Sequence, residues 1–165
     1  MSLRAIFRPG MRAYIVPLLS GIALDASTFL PWVHVGEVTL DGSTEMAALW
    51  VLGLGGLAAV LATLSLITRK NSRHPLLVIG LMSLGIMFLS WRIMPRMALE
   101  RALTHSQAVA IVEGAPMTDA PVARVGGGIY LGLAASAALV GFGLTVVLKR
   151  ASQPYLVALS DDDVE

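Results

Sequence analysis

The chain has 165 residues, 56% of them hydrophobic and 14% charged, with a mean hydropathy of +0.75. Soluble domains carry roughly 25% charged residues; here charge is missing from four blocks and collected between them. The net charge of +1 leaves no electrostatic footprint for nucleic acid, and the lack of cysteine excludes disulfides, thiolate metal sites, iron–sulfur clusters and cysteine nucleophiles.

The composition is that of a polytopic membrane protein. Four spans of ~20 residues use about half the chain. Little is left for a soluble catalytic domain, which usually needs ~50 residues or more.

Residues 1–12 form a basic arm, with Arg4, Arg8 and Arg12 as a positive flank. The first span is 13–33, AYIVPLLSGIALDASTFLPWV. Its apolar run is too long for a signal peptide and no small-x-small site follows, so it is expected to remain uncleaved. Pro17 lies in the first turns, where a missing N–H costs least. At about 100° per residue, Leu18, Gly21, Asp25, Thr28 and Trp32 share a face. Gly21 permits close approach of another helix, and Asp25 and Thr28 can hydrogen-bond across, so this face is expected to point inward.

Residues 34–45 form a short outer loop. Val33, Val35, Val38 and Leu40 around Gly36 and Asp41-Gly42 predict a hairpin-like excursion. Two strands alone are marginal in water, so the hairpin needs support from the later loop or a partner. Ser43 or Thr44 is expected to cap the next helix.

The second span is 46–68. Ala48, Gly55, Gly56, Ala59, Ala62 and Thr63 make a groove of small residues, and Trp50 sits near the outer boundary. A short basic turn follows, with Asn71 or Ser72 as a cap and Pro75 opening the third span, 75–94. Trp91 marks the outer interface there, with Arg92 beside it. Pro95 is expected to bend or restart the helix. The outer loop 95–125 then holds an extramembrane helix over 96–113, with Gly114 as its C-terminal cap and Pro116 and Pro121 as breakers.

The fourth span is 126–148. Gly128 and Gly132 form a GxxxG pair, and Ser136 continues the stripe one turn on. Lys149-Arg150 stop it, and 151–165 is an acidic tail without a core of its own.

Lys and Arg set the orientation. The arm (Arg4, Arg8, Arg12), the turn (Arg69, Lys70, Arg73) and Lys149-Arg150 hold eight of the twelve. Both termini are therefore expected in the cytoplasm and both larger loops outside. The predicted fold is an all-α membrane protein: a four-transmembrane-helix bundle with a hairpin-like outer loop and an extramembrane helix before the last span.

Asp25 is the leading chemical candidate, because an ionisable group inside a span is a functional hypothesis by default. Its expected partner is Arg92, which approaches from the same side on a long stem. A contact with another subunit and a proton or cation step are the alternatives. Trp32, Trp50 and Trp91 read as interface anchors. His34, His74 and His105 lie away from mid-membrane, and neither they nor Glu37 and Asp41 match a metal-site spacing. No HExxH, GxSxG, P-loop or dinucleotide fingerprint is present, so no catalytic set, metal, cofactor or small-molecule substrate is expected.

From Ser20 to Ala62, FLPWVHVGEVTLDG followed by LWVLGLGGLAAVLA resembles a loose group of small bacterial four-span membrane proteins. In these a Phe-Leu-Pro-Trp-like motif ends the first span and a Gly-rich outer loop precedes a Gly/Ala/Leu span. The resemblance implies the topology and transfers no activity. The topology is also similar to that of claudin-like proteins, but their outer-loop cysteine pair is missing.

The sequence thus points to a non-enzymatic accessory or scaffolding subunit of a larger bacterial inner-membrane complex, with a respiratory or photosynthetic host as one class. Its expected partners are membrane lipids and other membrane subunits. The alternatives are a small transporter or channel using Asp25, and an envelope sensor or lipid-binding protein.

Overall fold

A computed structural model describes residues 12–68, 73–114 and 122–151. The basic arm up to Met11, the cap candidates Asn71 and Ser72, the breakers Pro116 and Pro121 and the acidic tail after Ala151 lie outside the described residues.

The chain folds into four helices, α1 (Ile15–Thr28), α2 (Met46–Thr68), α3 (Arg73–Glu113) and α4 (Gly127–Ala151), and three short strands, β1 (Pro31–Val35), β2 (Val38–Asp41) and β3 (Ala123–Val125). The fold is therefore mostly helical but not all-α. The helices α2, α3 and α4 are long and apolar enough to cross a membrane. The helices neighbour one another in a ring, α1–α2–α3–α4–α1, in which the α2–α3 seam is the loosest.

The bundle is apolar on the outside as well as inside. Leu49, Leu57, Ile67, Leu81 and Phe88 are exposed, an exterior suited to hydrocarbon rather than water. Inside, contact is made through small residues. A methyl on Gly21 would meet the Gly55 carbonyl at 2.8 Å and the Ala59 amide at 2.9 Å; one on Gly80 would meet the Val140 amide at 2.9 Å. Backbones this close gain dispersion contact that larger side chains would prevent.

The first helix is shorter than expected. It ends at Thr28, not Val33, so it spans about 21 Å. Phe-Leu-Pro-Trp breaks it because the residue before a proline is pushed out of the α region, which makes Leu30 non-helical. Pro17 sits in the first turn, where N–H groups lack helical acceptors in any case.

The third helix is longer than expected. The anticipated span and extramembrane helix are one continuous helix of 41 residues, about 61 Å, with Pro95 inside it. Proline removes one internal hydrogen bond. The strong helix formers after it (Met97, Ala98, Leu99, Glu100, Arg101, Ala102, Leu103) carry the helix through. It stops at Gly114, whose φ of +65° is the left-handed conformation a C-terminal glycine supplies cheaply.

The strands form an antiparallel sheet in the order β2–β1–β3. The two-residue turn Gly36-Glu37 joins β1 to β2, with Gly36 at φ +57°. The third strand supplies the support a lone hairpin lacks. Val33 and Val35 are buried, and Val35 shares a recess with Ala98 of α3, while His34 stands in register with Thr39 and Arg124. Thr44 does not cap α2; its hydroxyl donates to the Asp41 carbonyl within the turn Gly42–Thr44.

Candidate functional site

Two features gather the polar chemistry of the bundle interior, and both grow from the end of α1. The first is Asp25. Its carboxylate turns toward α2, where Gly55 and Gly56 leave room. Oδ1 occupies the space a side chain on Gly55 would take, and Oδ2 lies 4.0 Å from where one on Gly56 would begin. Oδ1 is buried and makes no hydrogen bond within the structure. Along α2, Gly55 lies nine residues from Met46, about 13 Å below that helix's end at the sheet.

The expected Asp25–Arg92 pair is not formed. Arg92 is exposed on α3, and α1 and α3 sit across the ring rather than side by side. Similar depth brought the two together in sequence; the direction of Asp25 around α1 separates them. Among the described residues the one ion pair is Arg101–Glu45 at 3.5 Å, joining α3 to the start of α2.

The second feature is Trp32. It stands on the face expected to point inward and is fully buried, not an anchor at the membrane interface. The cause is a β-bulge. Pro31 pairs with Asp41 and Val33 with Leu40, so Trp32 is the extra residue of β1. A bulge re-aims a side chain, and here adjacent residues Trp32 and Val33 both point into protein. The indole Nε1 donates to the Ser27 carbonyl at 2.8 Å. That carbonyl lies in the last turn of α1, where helical donors run out.

Two glycines wall the indole and a third lies against the Trp32 backbone. Side chains on Gly42 or Gly128 would strike its ring, and one on Gly126 would strike the Pro31 and Trp32 backbone. The Gly126 amide donates to the Trp32 carbonyl at 2.7 Å and the Gly42 amide to the Leu30 carbonyl at 3.3 Å. The GxxxG pair thus serves α1: Gly128 receives Trp32, and Gly132 lies 3.0 Å, measured from its would-be side chain, from both Ser27 Oγ and Met87 Sδ. The sequence marks Gly42 only as a turn residue beside Asp41, and Gly126 only as the start of the fourth span; their closeness to Trp32 has no local sequence signal.

Of the seven buried hydroxyls among the described residues, the five on Ser27, Thr28, Ser65, Ser83 and Ser136 each donate to a carbonyl of their own helix, which satisfies the donor locally and leaves them out of a relay. Trp50 is exposed. Trp91 is half-buried, its ring 5.8 Å from that of Phe88. At the end of the bundle away from the sheet, the Arg73 guanidinium lies 5.5 Å from the Phe142 ring centre and 6.0 Å from that of Tyr14, and the two rings meet edge to face at 5.2 Å. Among the described residues, no three His, Asp or Glu side chains gather into a metal-binding group.

Comparison with family models, with curated proteins and with solved structures finds no match.

Proposed function

We propose that the chain is a non-enzymatic accessory or scaffolding subunit of a larger bacterial inner-membrane assembly. In this reading it crosses the membrane four times, with both ends in the cytoplasm and the sheet at the outer face, where its central strand β1 enters the bilayer. α1 is shorter than the ~30 Å of hydrocarbon. β1 completes the crossing, because non-helical backbone is tolerated at membrane depth when protein satisfies it. Here β2 and β3 pair with β1 on both sides. An even number of crossings also agrees with the basic turn and Lys149-Arg150 lying on one side.

The observation that carries the subunit reading is the free end of α3. This helix runs about 27 Å beyond the length of α2. The sheet covers it near Ala98, but its last turns stand clear, with Ile111 80% and Val112 85% exposed. A few helical turns are marginal in water by themselves, and apolar residues at this position fit a partner subunit. The test is a photo-crosslinker at Val112 in native membranes, followed by mild-detergent purification. A specific adduct with another membrane protein is expected. A crosslink-free, monodisperse monomer overturns the reading.

A second reading is transport through Asp25, favoured by the buried, unbonded Oδ1. The locally bonded serines weigh against it, since a relay needs linked polar groups. Asp25→Asn abolishes flux in reconstituted vesicles under this reading and leaves ion and proton permeability unchanged under the first.

A further inference from the structure

The loosest seam of the ring, α2–α3, opens into a groove beside the sheet. Its lower part is a recess of about 260 Å³ walled by apolar side chains, Ile86, Ile93 and Met94 among them, with Ala47 across from them on α2. Met97 ends this recess and begins the next, about 560 Å³, an open hollow along one face of α3 lined by Glu100, Arg101, Thr104 and His105. A third recess of about 410 Å³ reaches from Arg101 and His105 under the edge of the sheet at Val38. The Arg101–Glu45 pair spans the place where the lining changes character, and Arg101 remains 66% exposed in its side chain.

The order of these linings matches a bilayer leaflet. From Ile86 to Arg101 is 15 residues, about 22 Å of helix. Over that distance the wall passes from hydrocarbon-like to charged, as a membrane does between acyl chains and headgroups. The charged end offers both signs. Arg101 and His105 present donors suited to a phosphate, and Glu45 and Glu100 stand beside them as acceptors suited to an ammonium group.

We propose that this groove binds one phospholipid of the leaflet on the sheet side. Its acyl chain lies between α2 and α3, its phosphate against Arg101 and His105, and its amine-bearing headgroup near Glu45 and Glu100. The site needs only that the bundle lies in a bilayer, and it is independent of any partner subunit.

The test combines lipid retention with crosslinking. The full chain is equilibrated with vesicles of phosphatidylethanolamine and phosphatidylglycerol, purified in mild detergent and weighed by native mass spectrometry. Wild type is expected to keep about one phosphatidylethanolamine per chain. Arg101→Ala and Ile93→Trp lower that retention at least fivefold, and Arg92→Ala, exposed and about 180° round α3 from Arg101, leaves it unchanged. A photo-crosslinker at Ile93, itself 45% exposed, yields a lipid adduct without disturbing the fold. Equal retention by wild type and both groove variants overturns the proposal. So does a peptide adduct at Ile93, whether from a partner or a second copy, and preferential retention of phosphatidylglycerol overturns the headgroup assignment.

Discussion

Oδ1 of Asp25 stands where Gly55 would begin a side chain, so the α1–α2 seam is cut to the shape of one carboxylate. Gly55→Ala drives a methyl into that oxygen and to 3.0 Å from the Gly21 carbonyl. Overpacking of this kind costs about 1–3 kcal/mol. Gly53→Ala, on the same helix, meets nothing within 4 Å and should be neutral or stabilise by up to ~1 kcal/mol through helix propensity. Thermal unfolding in detergent separates the two, and adding Asp25→Ala to Gly55→Ala should recover part of the loss. Equal melting of the two single variants refutes the seat.

The indole of Trp32 serves as a hydrogen-bonding end piece for α1. Trp32→Phe keeps a ring but removes the indole's hydrogen bond to the Ser27 carbonyl, which keeps the longer one from the Leu30 amide at 3.4 Å, an expected loss of about 0.5–1.5 kcal/mol. Trp32→Ala should cost about 3–5 kcal/mol, since it also empties the pocket. Ser27→Ala leaves the carbonyl in place and deletes only a hydroxyl that donates to Leu24, so its effect should be smaller than that of Trp32→Phe. Chemical unfolding of the three variants ranks them.

Arg73 ties α3 to two rings from α1's approach and α4. Arg73→Met keeps the aliphatic stem but loses the cation, with an expected loss of about 0.5–2 kcal/mol. Thr145→Val removes only a 3.5 Å contact to Arg73 Nη1 and an intrahelical bond to Phe142, and should stay within about 0.5 kcal/mol of wild type. A double-mutant cycle of Arg73→Met with Phe142→Leu should show coupling; additive effects would mean the stacking contributes nothing.

With no cysteine in the chain, single cysteines report topology directly. Thr39→Cys and Gln107→Cys, both at exposed positions, should react with an impermeant maleimide added to intact cells. His74→Cys, exposed at the opposite end, should react only after permeabilisation. Labelling of all three in intact cells rules out the proposed orientation.

Long unbroken apolar runs were the most legible part of the chain. The limits read for the second span coincide with α2, and those of the fourth lie within a few residues of α4 at each end. Phe-Leu-Pro-Trp misled because an apolar stretch reads alike in a helix and in a buried strand. Ala123–Val125 gave no signal, since three residues carry no period. Pro95 does not restart the helix, because the helix formers behind it carry it on. Depth alone does not give the surroundings of Asp25. Burial shows that the relevant variable was direction around the helix, and Gly55-Gly56, already visible as a gap in α2, was the cue to follow.

The strand pairing has a consequence for biogenesis. β1 leaves the ribosome long before β3 and the glycines that close around its tryptophan. The separation from Trp32 to Gly126 is about 90 residues, which at roughly 5–20 residues per second takes about 5–18 s to synthesise. Through that interval the indole is unburied and the edge of β1 that later pairs with β3 is open. The tryptophan seat and the third strand can close only after that delay.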